Sequence, residues 1–264
     1  MGKINKITIV TPSFNQAGFI EKTIRSVAGQ QCGCQVEHII VDGGSTDGTL
    51  ELLEKDKGDI RLVSEPDRGM SDALNKGFAM AGGDVIGWLN SDDLYLPRTL
   101  QCVKNFFDSH PEFGWVYGHC LMIDENGREV RRWISAYKAM KAKKFSYDRL
   151  LVENYISQPA VFFRKEFLEK AGFLDISLKS AMDYDLWLRM ARMSPPGIIP
   201  ETLAAFRVHG RSISARGFRQ QFDEQYRIHL RYDQRKWLLL RHRMMNRMIV
   251  GVYSLFRMLK PTIE

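Results

Sequence analysis

Short runs of apolar residues alternate along this chain with segments in which apolar residues recur every three or four positions. The runs predict four buried strands, and the periodic segments between them predict three helices. The predicted strands are 6–10, 36–41, 60–64 and 85–89, and the predicted helices are 17–30, 49–55 and 71–81. Because strands that alternate with helices require right-handed crossovers, we expect an α/β fold with a Rossmann-like, mostly parallel central sheet covered by helices on both faces.

Polar residues follow each predicted strand, and we expect them to form loops. The clusters are 11–15, 42–47, 65–69 and 90–93. Ligands of parallel α/β sheets bind beyond the carboxyl ends of the strands, so the four clusters are expected to meet at one edge. One such cluster alone favours a turn, but four on one edge, which together carry Asp42, Asp67, Asp92 and Asp93, indicate an acidic rim that needs a cation. Carboxylates on loops suit magnesium or manganese, and the absence of a Gly-Lys-Ser/Thr loop argues against a P-loop triphosphate site.

The composition is that of a globular protein, since 44% of the 264 residues are hydrophobic and 26% are charged. The net charge is +7, and the last thirty residues, with seven Lys or Arg and one acidic residue, carry six of these charges. The remainder is nearly neutral, which argues against binding to nucleic acid. The four cysteines lack the paired spacing of metal sites and no secretory signal precedes the first strand, so we expect reduced thiols and a cytoplasmic location.

Eight short motifs, taken together, resemble the inverting nucleotide-sugar transferases of glycosyltransferase family two. They are TPSFN at 11–15, VDGGSTDGT at 41–49, SEPDRG at 64–69, DALNKG at 72–77, WLNSDD at 88–93, ISQPA at 156–160, AMDYDLW at 181–187 and FRVHG at 206–210. The resemblance implies the GT-A fold over 1–215, with a nucleotide-binding half at about 1–100 and an acceptor half at about 101–215. Residues 216–264 would then form a basic, helical appendage.

The resemblance implies a metal site at the end of the fourth strand. Asn90, Ser91 and Asp92 stand at the Asp-x-Asp motif of the family, so Asp92 is expected to bind a manganese or magnesium ion that bridges the two phosphates of the donor. Asn90 replaces the leading carboxylate, and the loss of one negative charge is expected to weaken metal affinity. His209 occupies a position that implies a second metal ligand, although a histidine in a loop also suits simple hydrogen bonding.

The donor pocket implied by the resemblance takes residues from the first five motifs. These residues are Thr11, Pro12, Ser13, Asn15, Asp42, Asp67, Gly69, Asp72, Asn75, Lys76, Asn90 and Ser91. Asp42 matches the acid that contacts the nucleobase, and Lys76 offers a positive charge to phosphate. For Asp72, Asn75 and Lys76, a solvated helix face is an equally good interpretation.

The resemblance implies that the acceptor half carries the catalytic base. Asp183 matches the family's aspartate, although an acid in the first turn of a helix is ordinarily a cap or a partner of the helix dipole. Met182 replaces the usual glutamate, and an apolar neighbour is expected to raise the proton affinity of the carboxylate by desolvation. Gln158 and Asp185 are expected to contact the acceptor.

These residues imply a single in-line displacement in which an acceptor hydroxyl attacks the anomeric carbon while Asp183 takes its proton. We expect a nucleotide-diphosphate donor such as a UDP-sugar, a glycan or lipid-linked acceptor, and a role in bacterial cell-surface polysaccharide or glycan synthesis. Two other classes stay open: a nucleotidyltransferase, and a sugar-nucleotide binding or scaffold protein without activity.

The basic tail predicts a helix with an apolar face formed by Trp237, Met244, Met248, Leu255 and Leu259. Its longest uncharged stretch is far shorter than the ~20 residues that span a bilayer. A basic helix with Trp and Phe favours anionic lipid headgroups, so we expect peripheral contact with the cytoplasmic face of an inner membrane. The alternatives are packing on the core and packing on a second subunit in a homodimer.

Overall fold

The computed structural model describes residues 2–55, 58, 60–210 and 218–259, and one eight-stranded sheet lies at the centre of this part of the chain. The order of the strands is β3-β2-β1-β4-β7-β6-β8-β5. The strands are β1 (Lys6–Ser13), β2 (Gln35–Asp42), β3 (Arg61–Ser64), β4 (Val85–Trp88), β5 (Leu94–Tyr95), β6 (Trp115–Ile123), β7 (Val161–Arg164) and β8 (Gly197–Arg207).

Ten helices pack around the sheet within the described residues, together with one 3₁₀ turn at Gln158–Ala160. They are α1 (Ile20–Ala28), α2 (Thr49–Lys55), α3 (Met70–Met80), α4 (Thr99–Ser109), α5 (Arg132–Ala142), α6 (Tyr147–Val152), α7 (Lys165–Ala171), α8 (Met182–Met193), α9 (Phe218–Tyr232) and α10 (Lys236–Leu259). None of the helices described is both long and apolar enough to cross a bilayer.

The first four strands confirm the predicted α/β arrangement. β1 pairs in parallel with β2 and β4, and β2 pairs in parallel with β3. The rest of the sheet is mixed, because β7 runs antiparallel to β4 and β6 while β6 and β8 are parallel. The proposed nucleotide and acceptor halves therefore share one continuous sheet, which joins them through β4 and β7.

The prediction that the chain enters a loop at residue 11 is wrong, because β1 continues to Ser13 and pairs there with Asp42 of β2. Pro12 is tolerated because of the direction that its nitrogen faces. The carbonyl of Val10 accepts a hydrogen bond from Leu89 on the β4 side, whereas that of Ser13 accepts one from Gly43 on the β2 side. The backbone polar groups of alternate strand residues point toward opposite neighbouring strands, so those of Pro12, like those of Val10, point toward β4. Val10 is the last residue of β1 that pairs with β4, so the missing N–H of Pro12 costs no hydrogen bond of the sheet.

The largest apolar cluster lies under the acceptor half and includes residues of the C-terminal helices. Trp115 of β6 stacks on Trp187 of α8 with ring centroids 5.9 Å apart. Ile228 of α9 and Leu238 of α10 are fully buried in the same cluster. Helices α9 and α10 thus share a core with the sheet, and the boundary proposed between residues 215 and 216 lies outside the described residues.

Candidate active site

The carboxyl ends of β1 and β2 form a rigid corner built around Asp42. The buried Asp42 carboxylate accepts hydrogen bonds from the backbone N–H of Gly44 at 3.0 Å and of Ser45 at 2.8 Å. The Ser45 hydroxyl donates to the same carboxylate at 2.5 Å and accepts the backbone N–H of Asn15 at 2.8 Å. The Asn15 side chain in turn accepts the N–H of Thr46 at 2.9 Å. The structure therefore brings together Asn15 and Asp42, two of the expected donor-binding residues.

Asp67 lies against this corner. A side-chain carbon at Gly43 would be 2.5 Å from an oxygen of the Asp67 carboxylate, so only a glycine permits this close approach. Asp67 also accepts the backbone N–H of Gly69 at 2.7 Å, and Gly69 has a φ of +111° that favours glycine. The loop after β3 is thereby folded against the loop after β2.

Two hydroxyl residues of β1 differ in their surroundings. The Thr11 side chain is buried, and its hydroxyl lies 2.9 Å from Nε2 of His38, whose pKa is lowered to about 3 by burial. The imidazole is therefore neutral at physiological pH. The Ser13 hydroxyl is buried and has no hydrogen-bond partner among the described residues. An unpaired buried hydroxyl at the end of a strand is a polar group that a ligand can satisfy.

The polar residues of α3 make contacts within the protein. Asp72 pairs with Arg68 at 2.9 Å, and Lys76 pairs with Glu65 at 2.7 Å. The Asn75 amide bonds both the N–H and the carbonyl of Leu174 at 2.9 Å, which fixes α3 to the loop before α8. These contacts hold Asp72 and Lys76 beside the loop after β3, while Asn75 joins the two halves of the chain.

Asn90 closes a ring of hydrogen bonds at the end of β4. Its side-chain oxygen accepts the indole N–H of Trp88 at 2.8 Å, and its side-chain nitrogen donates to Gln158 at 3.1 Å. Gln158 completes the ring by donating to the carbonyl of Trp88 at 2.5 Å. An amide both donates and accepts here, which a carboxylate does not do. The structure thus brings Asn90 and Gln158 together and gives a physical reason for asparagine at this position.

Asp92 and His209 meet beside this ring. Oδ2 of Asp92 lies 2.8 Å from Nε2 of His209, and the imidazole packs on Phe19 with centroids 4.7 Å apart. Ser91, which precedes Asp92, is buried, and its carbonyl accepts a hydrogen bond from Thr23. A carboxylate and an imidazole from distant parts of the sequence therefore lie next to each other at the rim.

Arg207 fixes the backbone behind this pair. Its guanidinium donates to the carbonyl of Asp92 at 2.8 Å, and its backbone N–H donates to the buried Asp93 carboxylate at 2.8 Å. Burial and the neighbouring Asp92 charge raise the pKa of Asp93 well above its ordinary value. The FRVHG motif contains Arg207, but nothing in the sequence indicated that it would reach Asp92 and Asp93.

Asp183 stands in the first turn of α8, where burial raises its pKa above the ordinary value. One oxygen accepts the backbone N–H of Tyr184 at 2.7 Å and the other accepts the Asn154 amide at 3.1 Å. Sequence analysis missed Asn154, because 29 positions separate it from Asp183 and no spacing signal links them.

The segment from Asn154 to Gln158 connects the two parts of the site. Asn154 contacts Asp183 at one end of this segment, and Gln158 contacts Asn90 at the other. Four residues of fully extended chain span at most ~14 Å. The residues that contact the candidate base and the end of β4 therefore lie within about that distance of each other.

A family model described as Glycosyl transferase family 2 matches residues 8–172, which include the Asp42 corner, the Asn90 ring and Asp92. This chain belongs to glycosyltransferase family 2. The glycosyltransferase is 32% identical over 187 residues to the "PGL/p-HBAD biosynthesis glycosyltransferase" of Mycobacterium bovis, an alignment that covers 69% of this chain and 68% of that one.

Two solved structures share the fold of this glycosyltransferase. The mannosyltransferase PcManGT from Pyrobaculum calidifontis, in complex with GDP-Man and Mn²⁺, has a TM-score of 0.68 at 19% identity, over 97% of this chain and 81% of its own. Residues 1–349 of S. aureus TarS in complex with UDP-GlcNAc have a TM-score of 0.66 at 18% identity, over 89% of this chain and 69% of that one. The chain covers 41% of the longer TarS chain. Such neighbours are GT-A glycosyltransferases, so the expected fold is confirmed.

The residues of this glycosyltransferase fit a divalent cation only in part. No cluster of three or more His, Cys, Asp or Glu side chains that would hold a metal is present in the ranges described. Asp92 and His209 provide one oxygen and one nitrogen at a common point. Magnesium commonly binds through one or two carboxylates and completes its shell with water and substrate phosphates, so the single carboxylate of Asp92 fits a metal that binds together with a diphosphate, whereas imidazole is more typical of transition metals.

Asp185 of the glycosyltransferase is held inside the protein. Its buried carboxylate pairs with Arg189 at 2.9 Å and accepts the hydroxyl of Tyr232 at 2.8 Å. The structure therefore places Asp185 between α8 and α9 rather than with the Asn90 ring, and its expected contact with an acceptor stays a prediction.

Proposed function

We propose that this glycosyltransferase is an inverting enzyme that transfers a hexosyl or N-acetylhexosaminyl group from a nucleotide-diphosphate sugar to a hydroxyl group. The observation that carries the proposal is the pair formed by Asp92 and His209 at the end of β4. This pair joins an oxygen and a nitrogen ligand at the edge where α/β sheets bind nucleotides. The solved neighbours bound to UDP-GlcNAc and to GDP-Man with Mn²⁺ support the donor class.

The donor would lie along the rim formed by the first four strands. The Asp42 corner would hold the nucleoside, with the unpaired Ser13 hydroxyl as a further hydrogen-bonding group. Asp92 and His209 would hold manganese or magnesium. Such an ion supplies positive charge to the diphosphate that leaves in the reaction.

Asp183 would act as the general base on the acceptor side of the cleft. Its raised pKa makes the carboxylate a better proton acceptor than an exposed aspartate. Asn154 and the N–H of Tyr184 each hold one oxygen, so the carboxylate has a fixed orientation toward the attacking hydroxyl. A base and a leaving-group site at opposite ends of segment 154–158 match a single displacement with inversion.

We further propose a glycan or lipid-linked acceptor and peripheral contact with the cytoplasmic face of an inner membrane. Four large apolar side chains of α10 are exposed, namely Trp237, Leu240, Met244 and Met248. Leu238 and His242 on the opposite face are buried. Exposed Arg241, Arg243 and Arg247 flank the apolar stripe, so its charge complements an anionic lipid surface. The predicted positions Leu255 and Leu259 lie outside the described side chains.

A donor screen tests the enzymatic proposal. Purified protein would be incubated with Mn²⁺ and UDP-GlcNAc, UDP-glucose or GDP-mannose, and the release of UDP or GDP would be measured with and without EDTA. Metal-dependent release that Asp92→Asn abolishes, and that the exposed control Glu112→Gln keeps, supports the proposal. Binding of a nucleotide sugar without any release would favour a scaffold protein instead.

A further inference from the structure

Glu224 of α9 makes an unusual contact with the loop that leads into α8. Its side chain is buried, and its carboxylate accepts three consecutive backbone N–H groups. Lys179 donates at 3.0 Å, Ser180 at 2.8 Å and Ala181 at 3.0 Å. The next two residues are Met182 and the candidate base Asp183.

This contact places a carboxylate beside the N-cap residue of α8, whose backbone N–H is one of the three donors, while the other two donors precede the helix. The N-cap position of α8 is Ala181, and no side chain of the loop caps the helix there. Helix N-termini carry unpaired N–H groups and a partial positive charge, which a carboxylate stabilises. Glu224 delivers that carboxylate from 43 positions further along the chain.

Helix α9 also holds the surroundings of Asp183 at two further points. The Tyr232 hydroxyl donates to Asp185, in the same helical turn as Asp183. Nδ1 of His229 lies 2.7 Å from the carbonyl of Leu151, which also accepts the Tyr184 hydroxyl at 2.9 Å. Because Leu151 lies in the last turn of α6, just before Asn154, α9 contacts both segments that orient the Asp183 carboxylate.

We propose that Glu224 is a positioning residue for Asp183. By fixing residues 179–181, Glu224 sets where α8 begins and hence where the Asp183 carboxylate lies relative to the acceptor hydroxyl. Helix α9 is then a working part of the active site. The proposal rests on the proposed role of Asp183 as the base.

The test compares Glu224→Gln with the neighbouring exposed control Asp223→Asn. The assay is release of UDP or GDP from whichever of the three screened donors turns over fastest with Mn²⁺. Glutamine keeps the size of the side chain but loses the charge and turns an N–H₂ group toward N–H donors. We expect kcat to fall by about ten- to a hundredfold, because small displacements of a reacting group have effects of that order. The KM for the donor and the activity of Asp223→Asn are expected to stay unchanged.

A double-variant cycle separates positioning from general stability. If Glu224 acts through Asp183, then Glu224→Gln will lower turnover little or not at all in an Asp183→Asn background. Multiplicative losses would overturn the proposal, as would a Glu224→Gln enzyme with wild-type kcat. If Glu224→Gln does not fold, Glu224→Asp takes its place, and it must lower kcat without changing the donor KM. Wild-type turnover in Asp183→Asn alone would refute the proposed role of Asp183 as the base, so the two failures are distinguishable.

Discussion

Asp92 and His209 are 117 positions apart in the sequence, yet Oδ2 of one lies 2.8 Å from Nε2 of the other. Asp92 follows β4, whereas His209 follows β8, which lies on the far side of β7 and β6 in the sheet. Arg207 connects the two chain segments, because it ends β8 and donates to the carbonyl of Asp92. The ends of β4 and β8, which carry the pair, are therefore held together by the side chain and the backbone N–H of Arg207.

Replacement of Asp92 tests the metal role. Asp92→Ala is expected to abolish transfer and Mn²⁺-dependent binding of nucleotide, because the only carboxylate in the pair is lost. The melting temperature of the metal-free protein should stay near that of the wild type, since Arg207 bonds the backbone carbonyl of Asp92 and that contact survives the substitution. Calorimetric titration of UDP with and without Mn²⁺ measures the effect. Most of the activity surviving at saturating donor would contradict the assignment.

Asp93 is expected to behave differently from its neighbour. It is fully buried and accepts the backbone N–H of Arg207. Asp93→Ala leaves that N–H without a partner, and a lost buried partner costs about 1–3 kcal/mol of the free energy of unfolding. Thermal melting of Asp93→Ala beside Asp92→Ala checks this, and the larger fall in melting temperature should belong to Asp93→Ala.

Replacement of Asp183 tests the base. Asp183→Asn is nearly isosteric, so folding and donor binding are expected to survive. Turnover should fall by about two to four orders of magnitude, which is the usual contribution of general base catalysis. Asp185→Asn serves as the comparison, because Asp185 is held by Arg189 and Tyr232. An active Asp183→Asn together with an inactive Asp185→Asn would move the base to Asp185.

The pH dependence of turnover follows from the environment of Asp183. A base works only when deprotonated, so activity is lost as the pH falls through its pKa. Burial raises the pKa of Asp183, while the Asn154 hydrogen bond lowers it. The acidic limb of the kcat profile should thus lie above the ~3.9 of an ordinary aspartate, and Asn154→Ala should move it higher. A limb that moves to lower pH in Asn154→Ala would contradict this assignment.

Membrane contact is best tested by substitutions on the exposed face of α10. Truncation after Asp233 would also remove the buried Leu238 and His242 and so disturb the core. Changing Trp237, Leu240, Met244 and Met248 to glutamine should reduce co-sedimentation with phosphatidylglycerol vesicles and leave donor hydrolysis unchanged. Met140→Gln, an exposed apolar residue of α5, is the control. Unchanged sedimentation with a loss of dimer in analytical ultracentrifugation would identify the face as a subunit contact.

The sequence predicted the parallel half of the sheet well because that half depends on local patterns. Apolar runs, turn residues and helical spacing are all visible within a few neighbouring residues. The extension of β1 through Pro12 was missed, because it depends on where its partner strand β4 ends.

The site was predictable only where a motif stood next to a strand. Asp42 and Asp92 occupy such positions, and the structure places both at the rim. Asn154, Arg207 and Glu224 act through partners between 29 and 115 positions away, and no periodicity connects residues at such distances. Their contacts follow from how the acceptor half and α9 fold back onto the sheet.

The pairing of β4 with β7 has a consequence for folding while the chain is being synthesised. Val85 of β4 pairs with Arg164 of β7, so one edge of the parallel half stays open until residue 164 has been made. The apolar Val85 and Ile86 would line that open edge, and unpaired apolar edges promote association between chains. A fragment that stops near residue 100 would carry most of the donor motifs, yet it is expected to self-associate during synthesis because the edge of β4 opposite β1 has no partner strand.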